Sequence, residues 1–187
     1  MNGSINFIPA DTRQKQLPEI MDQIRKLSQH TQNLFYYHEE DQLKQKDKRG
    51  WSAVEYIEHF NMLLYHQIDV IKQTERKQKG VNVSKVIGNF LDSFGYKIIN
   101  RKSRAEILFE HFKPVSISNP GVLLNPQKVF QDVIYGCEEF IQLMENKKNQ
   151  YIIVIDNRIP GIMTLRGKAQ FLAEYFRFII HHCRNQI

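Results

Sequence analysis

Apolar residues recur at steps of three and four along four separate stretches of the chain, and that spacing is the strongest constraint on what it can fold into. An α-helix repeats every 3.6 residues, so each stretch carries an apolar stripe on one face that has to be buried, and four such stripes can bury one another. The first stripe holds Ile20, Ile24, Leu27, Thr31, Leu34 and His38. Pro18 suits the first turn, where its missing N–H has no helical partner, and the polar cluster Gln42 to Gly50 ends the element, which predicts a helix over 17–46. The second opens on Ser52 and Glu55, an S-x-x-E capping box, and continues through Val54, Ile57, Leu64, Ile68 and Ile71, predicting a helix over 51–77. Asn125 and Pro126 supply a cap and a first residue for the third, whose stripe is Val129, Val133, Cys137, Phe140 and Met144, predicting 126–147. The fourth, capped by Thr164, carries Leu172, Phe176, Ile179 and Cys183, predicting 164–186.

Between the second and third stripes the pattern weakens. Val83, Ile87, Phe90, Phe94 and Ile98 keep helical spacing, but Gly88 and Gly95 each lower helix propensity by roughly 1 kcal/mol relative to Ala, so the spacing predicts a broken helix. Phe112 to Asn125, with Pro114, Pro120 and Gly121, reads as an irregular crossover. The β-branched run Tyr151 to Ile155 has no second run to pair with, which predicts an extended linker or a short strand. The expectation is an all-α fold: a four-helix bundle with one long crossover between its second and third main helices. At 187 residues it is read as a single domain spanning 1–187.

Composition narrows the function classes. The formal net charge is +6, but the basic excess sits in short runs, Lys44 to Arg49, Arg76 to Lys79 and Arg101 to Arg104, without stacking aromatics between them. Such runs read as solvated surface, and nucleic acid is not an expected partner. Neither a secretory leader nor a stretch of 18 apolar residues is visible, so a cytoplasmic protein with no membrane span is expected. Cys137 and Cys183 are read as free thiols, Cys137 lying in the core stripe. The short motifs of α/β-hydrolases, P-loop and dinucleotide-binding proteins, zinc proteases and dithiol redox sites are absent. What remains are histidines on the predicted helices: His59 and His66, His181 and His182. His59 and His66 stand roughly 10 Å apart along one helix, too far to bind one ion together. His59 reads either as a ligand or as a satisfied histidine at the edge of the core.

The segment Trp51-Ser52-Ala53-Val54-Glu55-Tyr56-Ile57-Glu58-His59 resembles the W-S-x-x-E-x-x-x-H helix of the DinB/YfiT-like superfamily. The end of the chain, His181-His182-Cys183-Arg184-Asn185-Gln186-Ile187, is similar to that superfamily's closing helix, which commonly reads H-x-x-x-H-x-x-Q-I. Lys113-Pro114 and Asn125-Pro126 resemble its long crossover. The resemblance implies an up-down-down-up four-helix bundle and a divalent metal, often zinc or nickel, held by three histidines, one from the second helix and two spaced by four on the last. It places His59 at the first of these positions. Counted back from Gln186, the other two are Ile179, which cannot ligate, and Cys183, which can do so only as a thiolate. His182 is the one nearby replacement, though on a helix it points about 100° away from Cys183.

Two functional expectations follow. The leading one is a DinB-like binding or scaffold bundle with a degenerate metal site and no cofactor, forming a homodimer and holding a small molecule in the bundle cleft. The alternative is a metal-dependent thiol S-transferase or hydrolase of the DinB/YfiT-like type, with His59, His182 and Cys183 as candidate ligands for zinc or nickel and a low-molecular-weight thiol as cofactor.

Overall fold

The computed structural model describes residues 15–76, 80–99, 108–119, 122–146, 150–156, 158 and 162–187, and it is mostly helical. Four long helices dominate: α1 (Leu17–Tyr37), α3 (Ala53–Arg76), α6 (Pro126–Glu145) and α7 (Leu165–Arg184). Shorter helices are α2 (Glu40–Lys44), α4 (Lys85–Ile99) and α5 (Val115–Ser118). The three predicted caps form. Ser52 N–H donates to Glu55 Oε2 at 2.7 Å while Glu55 N–H donates to Ser52 Oγ at 3.3 Å, Asn125 Oδ1 accepts from Lys128 N–H at 3.1 Å, and Thr164 Oγ1 accepts from Gly167 N–H at 3.1 Å.

Both α1 and α3 pack against α6 and α7, and the apolar stripes meet where the spacing puts them. Ile24, Ile57, Phe60, Val133, Phe140, Leu172 and Phe176 are buried, and the rings of Phe60 and Phe176 stack at 4.0 Å. Each such side chain taken out of water contributes about 1.5–3 kcal/mol before entropy is counted. This burial fixes α3 against α7, and those two helices carry the candidate site.

Two expectations change, and a third that allowed two outcomes resolves to one of them. The helix predicted over 17–46 stops at Tyr37, because Glu39 starts a new helix: its carboxylate and the Gln42 side chain cap each other's backbone, leaving His38 extended between α1 and α2. The segment around Gly88 and Gly95 is not broken. Both glycines lie in α4 and let it approach its neighbours: a methyl at Gly88 would stand 2.7 Å from Tyr151 Cδ1, and one at Gly95 2.7 Å from Met163 Cγ. Of the two outcomes expected for the run 151–155, the short strand is the one that forms. β2 (Ile152–Ile155) sits between β1 (Val81–Asn82) and β3 (Ile162–Thr164) in a small antiparallel sheet, with Ile153 opposite both Val81 and Thr164. Among its described residues, the connection between α3 and α6 therefore contains a strand and a 15-residue helix. Among the described residues no helix is long and apolar enough to cross a membrane.

Candidate functional site

His59 lies one helical turn beyond the Ser52–Glu55 cap, on the face of α3 that meets α7, and it is fully buried. Its Nδ1 is 2.8 Å from the Phe112 carbonyl, and its Nε2 is 2.6 Å from the Tyr175 hydroxyl. A carbonyl can only accept, so Nδ1 carries the proton and Nε2 receives the Tyr175 O–H. Burial pulls the imidazole pKa down to about 4, against the opposing effect of the Phe112 carbonyl, so the ring is neutral near pH 7. Burial also pushes the Tyr175 phenol up, and its proton stays on oxygen. Phe109 stacks on the imidazole at 4.7 Å, and Trp51 meets its edge at 5.6 Å.

The other two candidate ligands look elsewhere. Cys183 is buried, its thiol points at the Ala53 carbonyl at 3.8 Å, and burial raises its pKa far above that of a usable thiolate. His182 sits between the rings of Tyr56 (4.7 Å) and Phe178 (6.0 Å), with Nε2 3.4 Å from Asp47 Oδ2. That carboxylate also accepts from the Tyr56 hydroxyl at 3.0 Å and from the backbone N–H groups of Arg49 and Trp51. Asp47 thus ties the turn before α3 to the end of α7. Ile179, at the remaining position that the resemblance implies for a ligand, is buried hydrocarbon. Among the described residues no three His, Cys, Asp or Glu side chains converge on a point where a metal ion could be held. A mononuclear centre needs three or more protein ligands, and here the nitrogen that would face it is already bonded to Tyr175, so the residues present do not fit one.

A second polar centre was not visible in the sequence. Asp156, just after β2, is buried and accepts from His66 Nε2 at 3.0 Å, Gln67 Nε2 at 2.8 Å, Lys168 Nζ at 3.3 Å and the Arg158 N–H at 2.9 Å. Burial alone would raise its pKa, but these donors outweigh burial and hold it far below the usual carboxylate range. His66 and His59 share a face of α3 with the Phe112 ring beside both, which keeps the two histidines in separate networks.

On the outside of the same end of α3 lies an open cleft of about 500 Å³, between the loop entering α3 and the crossover around α5. Its floor is Glu55, buried and ion-paired to Lys46, whose carboxylate also accepts from Ser116 Oγ at 3.0 Å. Burial pushes this carboxyl up, yet Lys46, the Ser52 amide and the two serine hydroxyls bring it below its ordinary value, so it is ionised. Comparison of the chain with protein-family models, curated proteins and solved structures finds no match.

Proposed function

We propose that this chain is a DinB/YfiT-like up-down-down-up bundle, one domain over 1–187, that acts as a binding or scaffold protein and has exchanged the metal centre for a hydrogen bond. The observation that carries the reading is the Tyr175 hydroxyl on His59 Nε2, at the position where the resemblance implies a metal. The family reading draws support from a contact between its two motifs: the Gln186 side chain donates to the Trp51 carbonyl at 3.1 Å, joining the closing-helix motif to the W-S motif across 135 residues. With Ile179 apolar and the Cys183 thiol protonated, the thiol S-transferase or hydrolase alternative lacks the Lewis acid that would activate a thiol.

Zinc and nickel quantified on untagged protein test this. The parent is expected to hold well under one equivalent, whereas an Ile179→His, Cys183→His double variant, which restores the inherited spacing, is expected to gain metal and to lose it again when His59→Ala is added. Near one equivalent in the parent, abolished by His59→Ala, overturns the reading and moves the transferase ahead. Self-association as a homodimer belongs to the same reading, and sedimentation of a 22.2 kDa species at tens of micromolar removes that part.

A further inference from the structure

We propose that α4 docks on an anionic lipid surface, lying on the face of the bilayer with its apolar side chains at the hydrocarbon border. The faces of this helix are reversed. Its inward face is Gly88, Asp92 and Gly95, at steps of four and three, all buried where α4 packs against β3 and the start of α7. The glycines permit the close approach, and Asp92 accepts from the Thr164 N–H at 2.8 Å and from Arg166 Nη2 at 2.5 Å. The apolar side chains face out instead: Val86 is 79% exposed, Ile87 51%, Phe90 70% and Phe94 54%. In the four long helices an apolar stripe at this spacing lies in the core. Here it is left in water, and an exposed apolar patch gathered on one element marks an interaction surface.

Charge indicates what covers that face. From Arg76 to Ala105 the sequence carries eight Lys and Arg against one acid, Asp92, which is turned inward onto Arg166. The runs Arg76 to Lys79 and Arg101 to Arg104 flank α4 in the sequence, and Lys85 and Lys97 lie within it. Of the chain's 26 bases and 20 acids, 18 and 19 remain outside this stretch, so acids elsewhere are already matched in number by bases there. Lys85 is exposed and forms no ion pair with another described residue. A surface of anionic head groups over hydrocarbon answers both features, since its negative potential attracts the bases while valine, isoleucine and phenylalanine enter the acyl boundary. At 15 residues the helix is too short to span a bilayer and lies on it. A two-fold dimer through the same face would set each basic stretch against its copy. Nucleic acid would meet the charge but leave Val86 and Ile87, which have no ring to stack, in water. The inference goes beyond the binding-bundle reading and involves neither His59 nor a metal, so metal analysis and lipid binding fail separately.

Flotation of the full chain with large unilamellar vesicles tests this, using phosphatidylcholine alone and phosphatidylcholine with about a third phosphatidylglycerol. Binding to the mixed vesicles is expected to be at least roughly tenfold tighter than to the neutral ones and to be lost as salt rises toward about 0.5 M. Phe90→Ser with Phe94→Ser removes two exposed rings, and Lys85→Glu reverses one exposed charge. Each is expected to weaken binding by roughly fivefold or more with an unchanged circular dichroism spectrum. The proposal is overturned if the chain does not float with the mixed vesicles, if neutral vesicles bind it equally well, if salt has no effect, or if either variant binds like the parent. A dimer in sedimentation that the double serine variant converts to monomer, without flotation of the parent, assigns the face to a second copy and overturns the proposal as well.

Discussion

His59 is neutral in the folded chain because burial strips the imidazolium of its hydration, and its two hydrogen bonds suit the neutral ring. In the unfolded chain the same ring takes up a proton near pH 6.5, while the folded one resists until about 4. Between those values the unfolded state binds more protons, so stability falls as pH drops, by about 3 kcal/mol across the window, and the loss levels off below it. Urea denaturation at pH 7 and pH 4.5 should show this difference in the parent and a smaller one in His59→Phe; equal pH dependence in both chains would contradict the assignment. Tyr175→Phe strands Nε2 in a dry site and should cost about 1–3 kcal/mol at pH 7. Cys137 and Cys183, buried and with pKa values raised by burial, should react with a thiol reagent only as fast as the chain unfolds. At this scale His59 is singled out in the sequence only by the resemblance of residues 51–59 to the W-S-x-x-E-x-x-x-H helix, and its burial between Phe112 and Tyr175 is not legible there. Tyr175 is not, since its partner is 116 residues distant and nothing local to α7 marks its hydroxyl.

Helix ends are the most legible elements, because a cap is local chemistry: Ser52 with Glu55, Asn125 and Thr164 each satisfy a backbone N–H within three residues. The break after α1 escapes the same reasoning because His38 keeps the apolar spacing and the cap belongs to Glu39 and Gln42, a pairing outside the usual Ser/Thr pattern. A short strand at 151–155 is legible, but its partners are hidden because they are two and three residues long, too short to show a period of two. Gly88 and Gly95 mislead for a further reason. Propensity counts a glycine's cost within its own helix and omits what its missing side chain lets the neighbour do. In an isolated helix Gly88→Ala gains roughly 1 kcal/mol. Here the new methyl meets the Tyr151 ring at 2.7 Å and Thr164 Cγ2 at 3.1 Å, so the substitution should destabilise the protein by about 1–2 kcal/mol, read as a lower melting temperature. A higher melting temperature would mean that Tyr151 moves aside freely.

At the scale of the whole molecule, α7 is the centre of the fold: every residue from Leu165 to Phe176 is buried, polar ones included. Periodicity identifies its apolar stripe but cannot foresee that Arg166, Lys168 and Glu174 are buried too, because groups that pair with them come from distant segments. Arg166 donates to Asp92 of α4 at 2.5 Å, Lys168 to Asp156 after β2, and Lys15, ahead of α1, to Glu174 at 3.0 Å. These contacts tie α4, the sheet and the segment before α1 onto α7, with Asp156 also holding His66 and Gln67 of α3. Burial pulls the Lys168 pKa down and Asp156 pulls it back up, so the two charges depend on each other. Removing one partner is therefore worse than removing both. Asp156→Ala leaves Lys168 as an unpaired buried cation and should cost about 3–5 kcal/mol, whereas Asp156→Ala with Lys168→Met should recover much of that loss. Because the Asp156 carboxyl is held far below its ordinary pKa, its contribution is complete above that value and disappears as pH falls toward the depressed one. The parent should thus lose its advantage over Asp156→Ala in acid, while the double variant, free of the pair, should show a shallower decline. Denaturation of the three chains at neutral and acid pH decides the matter: equal costs for the single and double variants would mean that the cluster holds α7 through packing alone, with no part played by its charges.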